Sequence, residues 1–275
     1  MKIRYLSDLH LEFIKPPAFS LVERAFGANF PTDVRATSLG LQRYSNFACF
    51  IRKIPPGSNE VAVLAGDVGS PRDYLYGAFM EYMNLNFKRT FVIAGNHEYY
   101  GSSMPETDNI LRTELKRFAN IRFLQNEFEI YEDHCFLGTT LWSKITNPQF
   151  EINDTSYIHG FSSSECTRLN TLNKEWLKGA LENNKNCVVI THHMPSERLI
   201  DEKYKTLRMQ PYNQWFCCDL DELILQNKDK IKCWIYGHTH TPSVKKIGGV
   251  PMLCNPVGYP GENSDVDFSK NIVLR

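Results

Sequence analysis

No sign of charge dominates this chain: 31 lysines and arginines balance 31 aspartates and glutamates. A protein that coats a phosphate backbone carries a basic excess, so extended nucleic-acid binding is not expected. Nor does a basic, aromatic-interleaved stretch suggest a single-strand groove. No apolar run approaches the ~18 residues of a membrane span. The opening MKIRYLSDLH holds no stretch of signal-peptide length and reads as a first strand, so neither export nor membrane attachment is expected. Eight cysteines are present, but none forms a CxxC pair. Several sit in apolar runs such as NCVVITHH and KCWIYGHTH, where a reduced thiol acts as a small hydrophobe. A reducing, cytoplasmic compartment is the expectation. Repeats, low-complexity tracts and linker-like shifts in composition are also missing, which leaves one folded unit over 1–275. Its 42% hydrophobic residues suffice for a core without staples.

Short apolar runs of strand type recur from end to end: Ile3–Leu6, Val61–Ala65, Phe91–Ala94, Ile121–Leu124, Phe128–Tyr131, Cys135–Thr140, Val188–Thr191, Cys233–Tyr236, Met252–Cys254 and Ile272–Leu274. Amphipathic helical patterns lie between them. One face carries Ile110, Leu111, Leu115 and Phe118; another carries Leu169, Leu172, Trp176, Leu177, Ala180 and Leu181; a third carries Phe216, Leu220, Leu223 and Ile224. The alternation predicts an α/β fold, with antiparallel edge regions around 121–140 and 243–255. Two segments break it. Residues 13–60 are rich in proline and aromatics, and residues 143–165 are polar and turn-rich. Each reads as an irregular insertion, either a binding loop or surface decoration. Phe19, Phe26, Phe30 and Tyr44 of the first are expected to pack on the fold and partly wall a site. Residues 196–211 carry Arg198, Lys203, Lys205 and Arg208 against Glu197, Asp201 and Glu202, and read as a solvated stretch.

Chemistry is concentrated at the ends of strands. Five runs finish in polar strings: SDLH (Asp8, His10), GDVG (Asp67), GNHE (Asn96, His97, Glu98), THH (His192, His193) and GHTH (His238, His240). Six of the eight histidines lie in them. Carboxyl ends of strands in an α/β sheet gather at one crevice, so these groups should converge. An extended backbone would point residues two apart, such as Asp8 and His10, the same way. Carboxylates mixed with imidazoles, without cysteine, suit two divalent transition metals, with Mn, Fe, Zn, Co and Ni all admissible. His134 and His159 lack this context and read as surface or loop residues.

The ordered strings resemble the calcineurin-like metallophosphoesterase superfamily, over residues 8–240. The resemblance implies a four-layer α/β/β/α sandwich with two mixed β-sheets and two metal ions at one edge. Residue by residue, it implies Asp8, His10 and His240 on one metal, Asn96, His192 and His238 on the other, and Asp67 bridging. His97 would face the phosphoryl group as a catalytic residue, with Glu98 orienting it, and His193 would lie behind the ligands or in the core. Serine/threonine protein phosphatases differ, because GDVG continues here as Ser70-Pro71-Arg72. The chain is more similar to the phosphodiesterase-like branch, and its NPVGYPGE tail resembles a loop of some bacterial-type members, or is a plain turn.

Two cations roughly 3.5–4 Å apart could share a bridging hydroxide that attacks phosphorus in line, while His97 protonates the leaving oxygen. The expected partner is a small phosphorylated substrate, and the leading expectation is a phosphodiesterase. A phosphomonoesterase acting on a small metabolite or nucleotide, and a non-catalytic scaffold of the same fold, remain the alternatives.

Overall fold

The structure, a computed structural model, describes residues 1–14 and 46–274. Phe19, Phe26, Phe30 and Tyr44 lie outside the described residues. Among the described residues, eleven strands form two mixed sheets. The first has the order β11-β1-β2-β3-β4 and the second β5-β6-β7-β8-β10-β9. They comprise β1 (Lys2–Leu6), β2 (Gly57–Ala65), β3 (Phe87–Ile93), β4 (Ile121–Phe123), β5 (Glu127–Tyr131), β6 (His134–Thr139), β7 (Cys187–Thr191), β8 (Ile231–Ile235), β9 (Ser243–Ile247), β10 (Val250–Cys254) and β11 (Asn271–Val273). Strands β1 to β4 run parallel, as do β6, β7, β8 and β10, while β5, β9 and β11 pair antiparallel at the edges. Residues 121–123 were expected at an antiparallel edge, but β4 closes its sheet in parallel register with β3.

Beside the helical residues 46–51, the helices among the described residues are α1 (Tyr74–Asn86), α2 (Met104–Leu115), α3 (Asp154–Tyr157), α4 (Ser163–Asn183) and α5 (Asp221–Gln226). The alternation of side chains along each strand sorts the core into layers. On β2, Val61, Val63 and Ala65 face the second sheet, whereas Ala62 and Leu64 face α1 and α2. On β7, Val188 and Ile190 meet the first sheet, and Cys187 and Val189 meet α4. Phe91 and Phe136 stack between the sheets with centroids 4.0 Å apart. Both strand faces are buried, which is why the runs read as continuously apolar.

Helix α1 went unread because its apolar residues surround it. Leu75, Tyr76, Phe79, Met80 and Met83 are buried, yet Tyr74 and Leu85 are exposed, so no single stripe stands out. Asp73 starts it by accepting the Leu75 N–H at 3.0 Å. In α4, Leu172 points outward, and Asn170 and Asn173 take the buried face instead. They bind the carbonyl and N–H of Trp142 at 2.7 and 3.1 Å, tethering the chain after β6. Phe216 precedes α5 rather than joining it. Gly57–Glu60, counted with the first irregular segment, belong to β2. Among the described residues no helix is long and apolar enough to cross a membrane.

Candidate metal centre

The loops after β1, β2, β3, β7 and β8 meet at one edge of the sandwich and are sewn together by their backbones. The Asp8, His10 and Leu11 N–H groups donate to Gly66, Asp67 and Val68 carbonyls, each at 3.0 Å. The Gly237 N–H donates to the His192 carbonyl, and the His238 N–H to Asp8 Oδ1, both at 3.0 Å. The expectation of an extended backbone at SDLH fails. Asp8, His10, Asp67 and His238 have φ of 52°, 49°, 53° and 63°. This left-handed conformation is tolerated best by Gly, Asn, Asp and His. It turns each side chain back toward the centre. Gly66, at φ 85°, could not be replaced: a Cβ there would lie 2.5 Å from His192 Nδ1. At Gly95 a Cβ would stand 2.2 Å from Asp67 Oδ1.

Seven predicted donors converge. Asp8, His10 and His240 bring ligand atoms within 4.8 Å of one another, as do Asp67, His192 and His238, and as do His10, Asp67 and His97. Asp67 Oδ2 lies 3.4 Å from His192 Nε2 and 3.8 Å from His10 Nε2. Asn96 Oδ1 is 3.0 Å from His192 Nε2. The ring nitrogens turned away from the centre have acceptors: Ala65 O for His192 at 2.9 Å, Glu12 Oε1 for His10 at 3.2 Å, and Glu262 Oε2 for His240 at 2.5 Å. Donation there leaves the Nε2 lone pairs aimed inward. His10 and His240 then oppose Nε2 atoms 3.1 Å apart. His238 Nε2 and Asp8 Oδ2 are buried without a hydrogen-bond partner. Facing lone pairs and orphaned acceptors fit a divalent cation held by nitrogen and oxygen donors.

Electrostatics agree with that fit. Burial favours protonation of Asp67, yet His192, His97 and His10 hold its carboxyl well below the usual range. Burial lowers His192, but the carboxylates of Asp67 and Asp8 raise it to about 10. Protons and metal therefore compete for the same lone pairs, and metal uptake should strengthen as pH rises.

Two carboxylates escaped the sequence reading. Asp154, on α3, accepts from Asn96 Nδ2 at 2.8 Å and from Tyr100 Oη at 2.6 Å, which decides that the amide oxygen of Asn96 faces His192. Its only signal is a place in the turn-rich 143–165 segment. Glu12 receives His97 Nδ1 at 2.9 Å, so Glu12 and not Glu98 orients that ring. Glu98 is fully buried and accepts backbone N–H groups of Asp67 and Gly95 on one oxygen and Val68 and Gly69 on the other, at 2.7–3.4 Å. Burial and the Asp67 charge push its pKa up to about 8 against those donors. Glu98→Ala leaves four buried donors unmatched, and we expect a loss of at least about 3 kcal/mol in urea unfolding. Unchanged stability would contradict this bracing role.

His97 stacks on Tyr100 at 4.3 Å, and its Nε2 lies 3.3 Å from Tyr259 Oη. The NPVGYPGE tail is therefore a wall of the site and not a plain turn, with Tyr259 4.6 Å from the His10 and His240 rings. His193 is buried against Trp142 and His238, donates from Nδ1 to the Thr140 carbonyl at 3.2 Å, and is pushed down to about 3 by burial and His192. His159 is exposed, while His134 is buried at the start of β6, correcting its surface reading.

A cavity of about 350 Å³ opens over these groups. Asp67, Asn96, His97, His238 and His240 form its floor, and Ile152, Asn153 and Asp154 of the 143–165 segment form one side. Residues 196–211 are not merely solvated. Their charged members Arg198, Lys203, Lys205 and Arg208 are exposed, but Ile200, Tyr204 and Met209 line the cavity.

A two-sheet sandwich with imidazoles and carboxylates gathered at its strand ends is built for metal-dependent phosphoester hydrolysis. Residues 1–242 match the calcineurin-like phosphoesterases, and the protein belongs to that family. An uncharacterized protein of Acanthamoeba polyphaga mimivirus is 27% identical over 290 residues, covering 96% of this chain and 93% of the viral one. In three dimensions the chain resembles the phosphopantetheinyl hydrolase of Mycobacterium tuberculosis, with a TM-score of 0.68 at 13% identity over 100% of this chain and 96% of that one. The second likeness is one of fold.

Proposed function

We propose that the protein is a phosphodiesterase with a dinuclear centre: Asp8, His10 and His240 on one cation, Asn96, His192 and His238 on the other, and Asp67 between them. When bound, two such cations supply Lewis acidity toward the phosphoryl oxygens and a nucleophile drawn from water at neutral pH. The chain's own residues do the rest. Asp154 and the Ala65 carbonyl hold Asn96 and His192 in their ligating orientations. Glu12 fixes His97 so that Nε2 faces the cavity and can carry a proton to the leaving oxygen. Tyr259 narrows the opening above His10 and His240 and limits water beside the reacting ester.

One observation carries the preference for a diester. Among the described residues the cavity lining includes no lysine or arginine, while Asp154 and Glu262 add negative charge. A diester brings one negative charge and a monoester nearly two, so this lining suits the diester. The thiols are all free, which supports the expectation of a reducing, cytoplasmic setting. The test is a comparison of bis-p-nitrophenyl phosphate with p-nitrophenyl phosphate at pH 7 after loading with Mn, Zn, Co, Ni or Fe. We expect kcat/KM for the diester to be at least about tenfold higher. The opposite order would make the protein a phosphomonoesterase, and no turnover of either would favour a scaffold.

A further inference from the structure

We propose that the outer half of the cavity is a subsite for a hydrocarbon group, so that the substrate is a phosphodiester bearing an apolar chain beside the phosphorus rather than a sugar. The proposal rests on the phosphodiesterase reading above. The subsite is built by one connection, residues 194–216, which supplies Met194, Ile200, Tyr204, Met209 and Phe216 to the cavity. Met194 and Ile200 are buried in the core beneath the second sheet, and Tyr204 and Phe216 pack on it. Met209 belongs to none of the core clusters among the described residues, yet it is half-buried, and what it faces is the cavity. No cation of this connection lines the cavity, and Lys203 Nζ lies over the Tyr204 ring, 4.8 Å from its centroid. Arg198 is paired with Asp221 at 2.7 Å, and Lys205 with Glu202 at 2.7 Å.

The connection is held in place before any ligand arrives. Asn213 Nδ2 donates to the Tyr204 carbonyl at 3.0 Å, which fixes the backbone of the wall. Gln214 accepts the Thr146 and Asn147 N–H groups at 2.8 and 2.9 Å and donates to the Asn147 carbonyl at 2.9 Å. Trp215 Nε1 donates to the Phe150 carbonyl at 2.5 Å. The connection is thereby tied to the 143–165 segment, which forms the neighbouring wall. Phe216 lies flat on His238, with centroids 4.6 Å apart and planes at 23°. The apolar wall thus begins directly beside a proposed metal ligand, within reach of an ester substituent on a phosphorus held there. A sugar there would leave hydroxyls facing Met and Ile side chains, whereas an alkyl chain would be desolvated against them.

The experiment compares p-nitrophenyl methyl phosphate with p-nitrophenyl hexyl phosphate, which share a leaving group and differ only in the other ester arm. Each buried methylene is worth about fourfold in binding. With the chain partly covered, we expect KM to fall about 10- to 100-fold from methyl to hexyl, with kcat little changed. Calorimetry with dimethylphosphinate and dihexylphosphinate, whose P–C bonds the reaction cannot cleave, as ligands of the metal-loaded protein should show the same ratio without turnover. Met209→Glu places a carboxylate on the wall and should bring the hexyl-to-methyl ratio toward one in both assays. If that variant folds poorly, Met209→Gln serves, with a smaller reduction expected. Equal KM values for the two esters, both being hydrolysed, would overturn the subsite while leaving the phosphodiesterase reading intact. Hydrolysis of p-nitrophenyl phosphate but of neither diester would overturn that reading and the subsite with it.

Discussion

Asp67→Ala is expected to strip the protein of metal and reduce turnover to background. Asp67 is the one carboxylate common to two of the donor groups, with Oδ2 3.4 Å from His192 Nε2 and 3.8 Å from His10 Nε2. Its Oδ1 also accepts the His97 N–H at 2.8 Å. Removing it deletes the buried negative charge placed among three imidazoles that pull its own pKa down. The loss should exceed the roughly 10- to 100-fold typical of a partner that only supports a ligand. Asp8→Ala and His192→Ala, each touching one proposed cation, should lose less metal. Elemental analysis of folded protein alongside a diester assay distinguishes these cases. Two ions per chain in Asp67→Ala, with turnover retained, would remove it from the bridging position.

For His97→Asn the size of the loss should depend on the leaving group. A general acid matters in proportion to the basicity of the departing oxygen. Nitrophenolate leaves readily without a proton and an alkoxide does not. The variant should retain its metals, cleave nitrophenyl esters appreciably, and lose about 10²–10⁴-fold on a dialkyl phosphate. Burial lowers the imidazole pKa, but the Asp67 and Glu12 carboxylates outweigh it and raise His97 to about 9. An acid works only while protonated, so activity on the alkyl ester should fall as pH rises through that pKa. Cations at the centre would pull it down toward the ordinary ~6.5, so the alkaline limb should lie between these values. It should vanish in His97→Asn. Equal losses for both leaving groups, with metals in place, would mean that His97 holds the phosphoryl group and gives no proton.

What the sequence disclosed, and what it hid, follows from the range of each interaction. The five strings at strand ends were legible because parallel strands must deliver their carboxyl ends to one edge, whatever the loops do. The path between those ends was not. Spacing suggested an extended SDLH, whereas Asp8 and His10 are left-handed, a conformation stabilised by backbone bonds to Gly66 and Asp67 that no local pattern announces. Glu98 looked like the partner of His97 because it is adjacent in sequence. Yet the 3-10 turn His97–Tyr99 sends it inward to four N–H groups, and Glu12, 85 positions away, takes the ring. Asp154 was hidden for the same reason, being 58 positions from Asn96. Residues 196–211 misled through their average. Counting charges described the exposed side chains and overlooked Ile200, Tyr204 and Met209, which turn into the cavity.

The central claim is a pair of cations straddling Asp67, and anomalous diffraction from crystals loaded with manganese tests it most directly. Two peaks about 3.5–4 Å apart are predicted, one among Asp8, His10 and His240 and the other among Asn96, His192 and His238, with an Asp67 oxygen within bonding distance of both. A single peak, or two that do not share Asp67, would contradict the account.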